Sequence, residues 1–183
     1  MKRIVSVVLA AGGALLLSAA SAQAQVSVGV GGGLTIPTGD FGDGFKTGWH
    51  GIANVGYDLP SGIGLRGDFF YGQNNVDATG VDGKAKLAGG LGNVLYTFKS
   101  AGTIHPYVIG TVGFMNAKLE ASGGGLTFSD SETKVAFGGG AGIKFKAGSD
   151  ANFFAEGRYI SVNTSGGSTN FIPITIGVSF GLK

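Results

Sequence analysis

The chain has 183 residues, with 13 Lys and Arg against 11 Asp and Glu, no cysteine and 37 glycines. The missing cysteine excludes disulfide staples, thiol catalysis and cysteine metal sites. The charges form no basic run or stripe of the kind that holds nucleic acid. Glycine stands far above its usual share of about 7%, yet it alternates with aliphatic and aromatic residues without a collagen triplet, so the chain reads as folded.

The first element in chain order is an export signal. Lys2 and Arg3 give a positive start, Ile4 to Leu17 an apolar centre, and Ala22-Gln23-Ala24 a small-residue cleavage site. Residues 1–24 are therefore expected to be removed before Gln25. The apolar centre is short against the roughly 20 residues of a spanning helix. Its removal takes away two basic residues and no acid, leaving 11 of each sign in a neutral domain over 25–183.

Eight strand-length segments follow with no helix-period segment between them: 25–36, 48–58, 62–72, 85–98, 104–118, 133–146, 151–163 and 171–183. In the first, Val26, Val28, Val30, Leu34 and Ile36 share one face, and Ser27, Gly29, Gly31, Gly33 and Thr35 the other. Such period-two alternation marks a strand with one greasy and one small or polar face. In the third, Ile63, Leu65, Phe69 and Tyr71 oppose Arg66 and Asp68. The fourth and fifth are ambiguous. Asn93 takes the polar face only if Val94, Tyr96 and Phe98 take the other, which places Leu87, Leu91 and Leu95 beside Asn93. A bulge near Gly89-Gly90 would resolve the conflict.

In the sixth, Val135, Phe137, Ala141, Ile143 and Phe145 oppose Gly138, Gly140, Gly142 and Lys144; in the seventh, Phe153, Ala155 and Tyr159 oppose Glu156 and Arg158. The last is the cleanest: Ile172, Ile174, Ile176, Val178, Phe180 and Leu182 alternate with Pro173, Thr175, Gly177, Ser179 and Gly181. Behind an export signal, this repeated pattern suits greasy faces turned outward to lipid and a packed lumen within.

The connections alternate in kind. Pro37–Thr47, Gln73–Lys84, Leu119–Glu132 and Thr164–Asn170 are mostly long and polar, whereas Asp58–Ser61, Lys99–Thr103 and Ala147–Asp150 are tight turns. Long external loops opposite short periplasmic turns are the mark of transmembrane barrels. Aromatics gather toward strand ends as an interfacial girdle: Trp49, Tyr71, Phe114 and Tyr159 toward the long loops, Tyr57, Phe98, Tyr107, Phe145, Phe153 and Phe180 toward the short turns.

With signal, strands and final segment together, the chain resembles the small outer-membrane barrels of the OmpA/OmpX and opacity-like type over 25–183. The resemblance implies an all-β, eight-stranded antiparallel up-and-down transmembrane barrel in the cell outer membrane. It also implies a C-terminal insertion signal, Thr175, Gly177, Phe180 and Leu182, read by the barrel-assembly machinery. Such proteins often end in an aromatic residue, whereas this one ends Leu182-Lys183. Thr38-Gly39-Asp40-Phe41-Gly42 also resembles a first-loop segment of such barrels and is assigned no function.

Chemistry is sparse. Arg66, Asp68, Glu156 and Arg158 take lumen parity on strands that face each other across an eight-stranded barrel, with Lys144 on the same face of the sixth. An interior that narrow is filled by side chains, so the expectation is a charge-paired plug, or a gate if the pairs exchange partners. His50 and His105 begin strands at opposite ends and cannot share a metal or a catalytic site. His50 has Asp40 and Asp43 near it in sequence but no serine in that loop, so lipid hydrolysis or acyl transfer is not expected. Asp40, Asp43, Asp77, Asp82, Asp130 and Glu132 lack the ordered spacing of a calcium loop and read as solvated. Gly29 to Gly33 precede no helix, so they are strand glycines, not a nucleotide fingerprint. No cofactor is expected.

Three function classes remain from sequence. The leading one is a non-catalytic anchor whose four outer loops contact an extracellular or envelope partner. The second is a narrow channel for ions or small solutes. The third, a secreted lipocalin-like carrier, would turn the greasy faces inward.

Overall fold

The computed structural model describes residues 25–76, 82–123, 126–148, 150–164 and 167–182. The expected signal peptide, residues 1–24, together with Asp77 and Lys183, lies outside them. Eight strands run in chain order: β1 Gln25–Thr38, β2 Gly48–Asp58, β3 Ile63–Asn75, β4 Asp82–Thr97, β5 Ile104–Gly123, β6 Leu126–Ala147, β7 Ala151–Thr164 and β8 Gly167–Leu182. Each pairs antiparallel with its neighbours, and β8 closes on β1 as an up-and-down barrel. Closure pairs every strand on both sides through the barrel wall, the condition for crossing hydrocarbon with strands, while residues 126–135 of β6 extend past it paired with β5 alone.

The pleat sorts side chains as the alternation anticipates. Val30, Leu34, Leu65, Phe69, Val112, Phe137, Phe153, Ile174 and Ile176 stand exposed on the outer wall. The greasy faces therefore turn outward, opposite to a lipocalin-like carrier.

Tight turns join β2 to β3, β4 to β5 and β6 to β7. Two of them place a glycine at positive φ, Gly62 at 92° and Gly148 at 83°, where a Cβ would strain the backbone. At the other end the strands outrun expectation. The described residues of the segments 73–84 and 119–132, read from sequence as loops, are largely β-ladder: Asn75 pairs with Lys84 and Leu119 with Asp130. Their polar composition reads as loop, but outward Lys86 on β4 is tied across to Glu120 on β5, which also pairs with Lys118 along its own strand.

The fourth and fifth strands are paired in continuous register, without the anticipated bulge at Gly89-Gly90. Leu87, Leu91, Asn93 and Leu95 point inward. On β5, Tyr107, Ile109, Thr111 and Met115 share the inner face. Tyr107 is thus no member of the aromatic girdle, as its place near a strand end suggested. It is 1% exposed and packs in the lumen with Leu95 and Ile109.

Candidate functional site

Among the described residues, the lumen is where this chain concentrates polar chemistry, and side chains fill it from the long-strand end down to a cluster of buried charges. From the long-strand end inward, the first layer is a cap. After β1, Gly39 at φ 59° turns the chain into a short helix, α1 Asp40–Gly44, whose Phe41 is buried and packs at a tilt against Phe45 with ring centroids 4.7 Å apart. The loop is held down by Asn74, which donates from Nδ2 to the carbonyls of Thr35 at 3.1 Å and Lys46 at 2.9 Å. Phe41 belongs to the same apolar cluster as Phe70, Leu87, Met115, Ile160, Val162 and Phe171 beneath it.

Below this apolar layer sits His50. Its Nδ1 lies 3.1 Å from Thr35 Oγ1, its Nε2 lies 2.9 Å from Thr175 Oγ1, and its ring stacks on Phe70. The register explains the reach: Gly33 of β1 pairs with His50 on one side and Thr175 on the other. Any Cβ at Gly33 would overlap the Ile174 carbonyl. His50 therefore meets two threonines across a bare glycine and not the acids Asp40 or Asp43. Thr175→Val keeps the side-chain shape but orphans Nε2, and should cost about 1–3 kcal/mol in urea unfolding from lipid vesicles.

The central layer is ionic. Arg66 donates to Asp68 through Nε at 2.8 Å and Nη2 at 3.1 Å, and to Glu156 through Nη1 and Nη2, both at 2.9 Å. Arg158 Nη1 donates to Asp68 Oδ2 at 2.9 Å and to Asn93 Oδ1 at 3.3 Å. Tyr107 donates its hydroxyl to Glu156 Oε2 at 2.7 Å, and Thr111 to Asn93 Oδ1 at 2.7 Å. All four charged groups are at most 9% exposed. Two cations and two anions balance, which is what burial of charge requires. One flaw remains: Arg158 Nε and Nη2 have no hydrogen-bond partner among the described residues, although Nε lies 3.3 Å from Glu156 Oε1.

Lys144, grouped with these residues in the sequence, faces inward but closer to the short turns. Its Nζ lies 3.2 Å from Asp58 Oδ2, outside the four-residue cluster. Glycines set the spacing here: a Cβ at Gly177 would overlap the Phe154 ring, and one at Gly142 would press on Tyr107. The sequence offered no signal for the Phe41 cap or the His50 threonines. Tyr107 was hidden by the ambiguous fifth strand.

The remaining C-terminal positions, Phe180 and Leu182, lie on the outer wall with Ile176. Trp49, Tyr71, Phe114 and Tyr159 face outward toward the long-strand end, and Phe98 and Phe153 toward the other. Tyr57 and Phe145 are partly buried on the same outer parity. Beyond Tyr71 and Phe114 the outward positions turn polar, and Glu120 sits 2.7 Å from Lys86 Nζ and 2.9 Å from Lys118 Nζ. Hydrogen bonds from Lys86 and Lys118 hold the Glu120 carboxyl down to about 2, against an ordinary 4.5. A depressed folded value supports the ladder above pH 4.5 and releases that support as pH falls from 4.5 toward 2. An NMR titration should find the Glu120 midpoint near 2 in the native chain, returning toward 4.5 in Lys86→Gln/Lys118→Gln.

The fold has solved counterparts. Neisserial surface protein A (NspA) superimposes with a TM-score of 0.66 at 18% identity, over 88% of this chain and 100% of that one. A major outer membrane protein from Thermus thermophilus gives 0.65 at 10% identity, over 88% and 100%. Ail, the attachment invasion locus protein of Yersinia pestis, gives 0.57 at 16% identity, over 87% and 97%. No curated protein matches the sequence. The family model of the outer membrane protein beta-barrel domain matches residues 7–182. The chain belongs to that family, and its place is the outer membrane.

Proposed function

We propose that this protein is a non-catalytic anchor whose sealed barrel displays hairpin extensions to a partner outside the cell. The observation that carries the reading is the layered lumen: the Phe41 cap, the apolar layer and the four-charge cluster leave the interior occupied by side chains. A chain selected to conduct would keep polar, hydrated space there. The ion-paired ladders of β4, β5 and β6 supply a firm outward platform in place of slack loops.

Residues 1–24 serve in this reading as a cleaved signal, and Gln25, where β1 starts, is the new N-terminus. Thr175, Gly177, Phe180 and Leu182 serve the barrel-assembly machinery, and the outward aromatics settle the barrel at the two lipid interfaces. The partner is approached through its chemistry. Ail, a barrel of the same fold, has been crystallised with the heparin analogue sucrose octasulfate. Lys84, Lys86 and Lys118 give this chain cations at its outward rim.

The test joins two readouts on one preparation: planar-bilayer recording and sucrose octasulfate titration. The anchor reading expects silent bilayers, and binding that is weakened in Lys84→Gln/Lys118→Gln. Stepwise conductance from the native protein would overturn it in favour of the narrow channel. That second reading draws on one feature, the incompletely bonded Arg158, which leaves the cluster room to exchange partners.

A further inference from the structure

The lumen does not end at the ion cluster. Toward the short turns it opens into a cup of about 490 Å³, within the range of small-molecule sites. Lys99 from the β4–β5 turn, His105 from β5, and Lys144 and Lys146 from β6 line it, against one carboxylate, Asp58. His105 and Lys144 are direct cross-strand neighbours, so the basic groups converge instead of scattering.

The charges do not cancel. Asp58 engages Lys144 at 3.2 Å, while the side chains of Lys99 and Lys146 have no ion-pair partner among the described residues. Neutral donors complete the wall: the Ser27 and Ser179 hydroxyls and the Asn152 amide. The cup also has a deeper end. A space of about 20 Å³, room for one water or one ligand oxygen, continues inward between Lys144, Arg66 and Asn54, with the Lys144-bound Asp58 also on its wall. Asn54 is 7% exposed, and its Nδ2 is buried without a hydrogen-bond partner among the described residues. An unpaired buried donor at the floor of a cationic cup is a group waiting for an acceptor.

We propose that this cup binds a multivalent phosphate-type anion, with one oxygen toward Asn54 and Lys144 and the remaining charge between Lys99 and Lys146. Phosphate suits the site better than a lone carboxylate. The cations at its mouth are lysine point charges and not planar guanidinium forks, and at least two of them lie unneutralised. The cup lies at the end opposite the displayed hairpins, so it is independent of the outward partner. Two sources carry this chemistry: a soluble oligophosphate, or the phosphodiester headgroup of a lipid beside the mouth.

Inorganic tripolyphosphate is titrated calorimetrically into the membrane-extracted protein in phosphatidylcholine nanodiscs and, in parallel, in phosphatidylglycerol nanodiscs. Saturable one-to-one binding is expected in phosphatidylcholine, weakened about tenfold in Lys99→Gln/Lys146→Gln. It should hold within about twofold in Lys84→Gln/Lys118→Gln at the opposite rim. Heat-modifiable gel mobility certifies that each variant is folded. Equal affinity in the two lipids supports the cup with a soluble anion as ligand, and loss of affinity in phosphatidylglycerol supports it with a headgroup in residence. Absence of saturable binding in phosphatidylcholine, or undiminished affinity in the folded Lys99→Gln/Lys146→Gln protein, overturns the proposal.

Discussion

Glu156→Ala is expected to destabilise the barrel by about 3–5 kcal/mol, because it leaves a buried charge unbalanced. Glu156 accepts two hydrogen bonds from Arg66 and one from Tyr107, and lies 3.3 Å from Arg158 Nε. Without it, two guanidinium groups, at most 9% exposed, share the single carboxylate of Asp68. The same variant should turn silent planar bilayers into stepwise conducting ones, since hydration of the freed guanidiniums is the cheapest remedy for their desolvation. Glu156→Gln keeps the volume but turns one accepting oxygen into an N–H donor facing donors, so it separates lost packing from the lost charge and acceptor. Arg66→Met/Glu156→Ala removes the pair together and should recover much of the stability, as apolar replacement of a buried pair often does. Native-like unfolding and silence in Glu156→Ala would reduce the cluster to filler of the lumen.

This expectation rests on a contact that the sequence already contained. Arg66 and Asp68 lie two residues apart on β3, Glu156 and Arg158 two apart on β7, and the pleat sends each pair to one face. Closure of eight strands then brings the faces together. The legible strands set a greasy parity, interrupted mainly by glycine or alanine, against one that carries glycine, small polar or charged residues, as in β1, β3, β6, β7 and β8. In β4 and β5 both parities carry apolar residues: Leu87, Leu91 and Leu95 inside, Val94 and Tyr96 outside. Alternation fails there because the lumen of so narrow a barrel is a packed core. That is why, from sequence, a place near a strand end puts Tyr107 in the girdle and the parity of β4 asks for a bulge.

Other features leave no trace in periodicity. The strand ends beyond the belt are polar on the outer face, so composition alone cannot tell the ladder of Lys86, Lys118 and Glu120 from a solvated loop. The cross-strand Lys86–Glu120 pair decides it, and that depends on register. His50 needs Thr35 and Thr175, far apart in sequence and joined only because β1 lies between β2 and β8 with Gly33 at the crossing. The Phe41 cap is a five-residue helix, too short for a helical pattern to register.

Ile176→Arg tests the outer wall by the same logic, and its size depends on the solvent there. Ile176 is 68% exposed, higher than any other described large apolar side chain on the outer wall, and stands midway along β8 with Gly32 and Ala155 as its cross-strand neighbours. No protein group contests the space, so the substitution meets no steric penalty, only the cost of moving a guanidinium into whatever covers the wall. In a bilayer that cost should be about 2–4 kcal/mol near the midplane, falling toward the interfaces. In water it should be near zero, since exposed surface substitutions usually stay within about 0.5 kcal/mol. Denaturant unfolding from lipid vesicles reads the difference directly, with Ser179→Ala, at the cup and away from lipid, as the small-effect reference. A penalty of about 2–4 kcal/mol at Ile176 with little change at Ser179 means that hydrocarbon covers this face, whereas equal and small effects at both would require water on both sides of the strand.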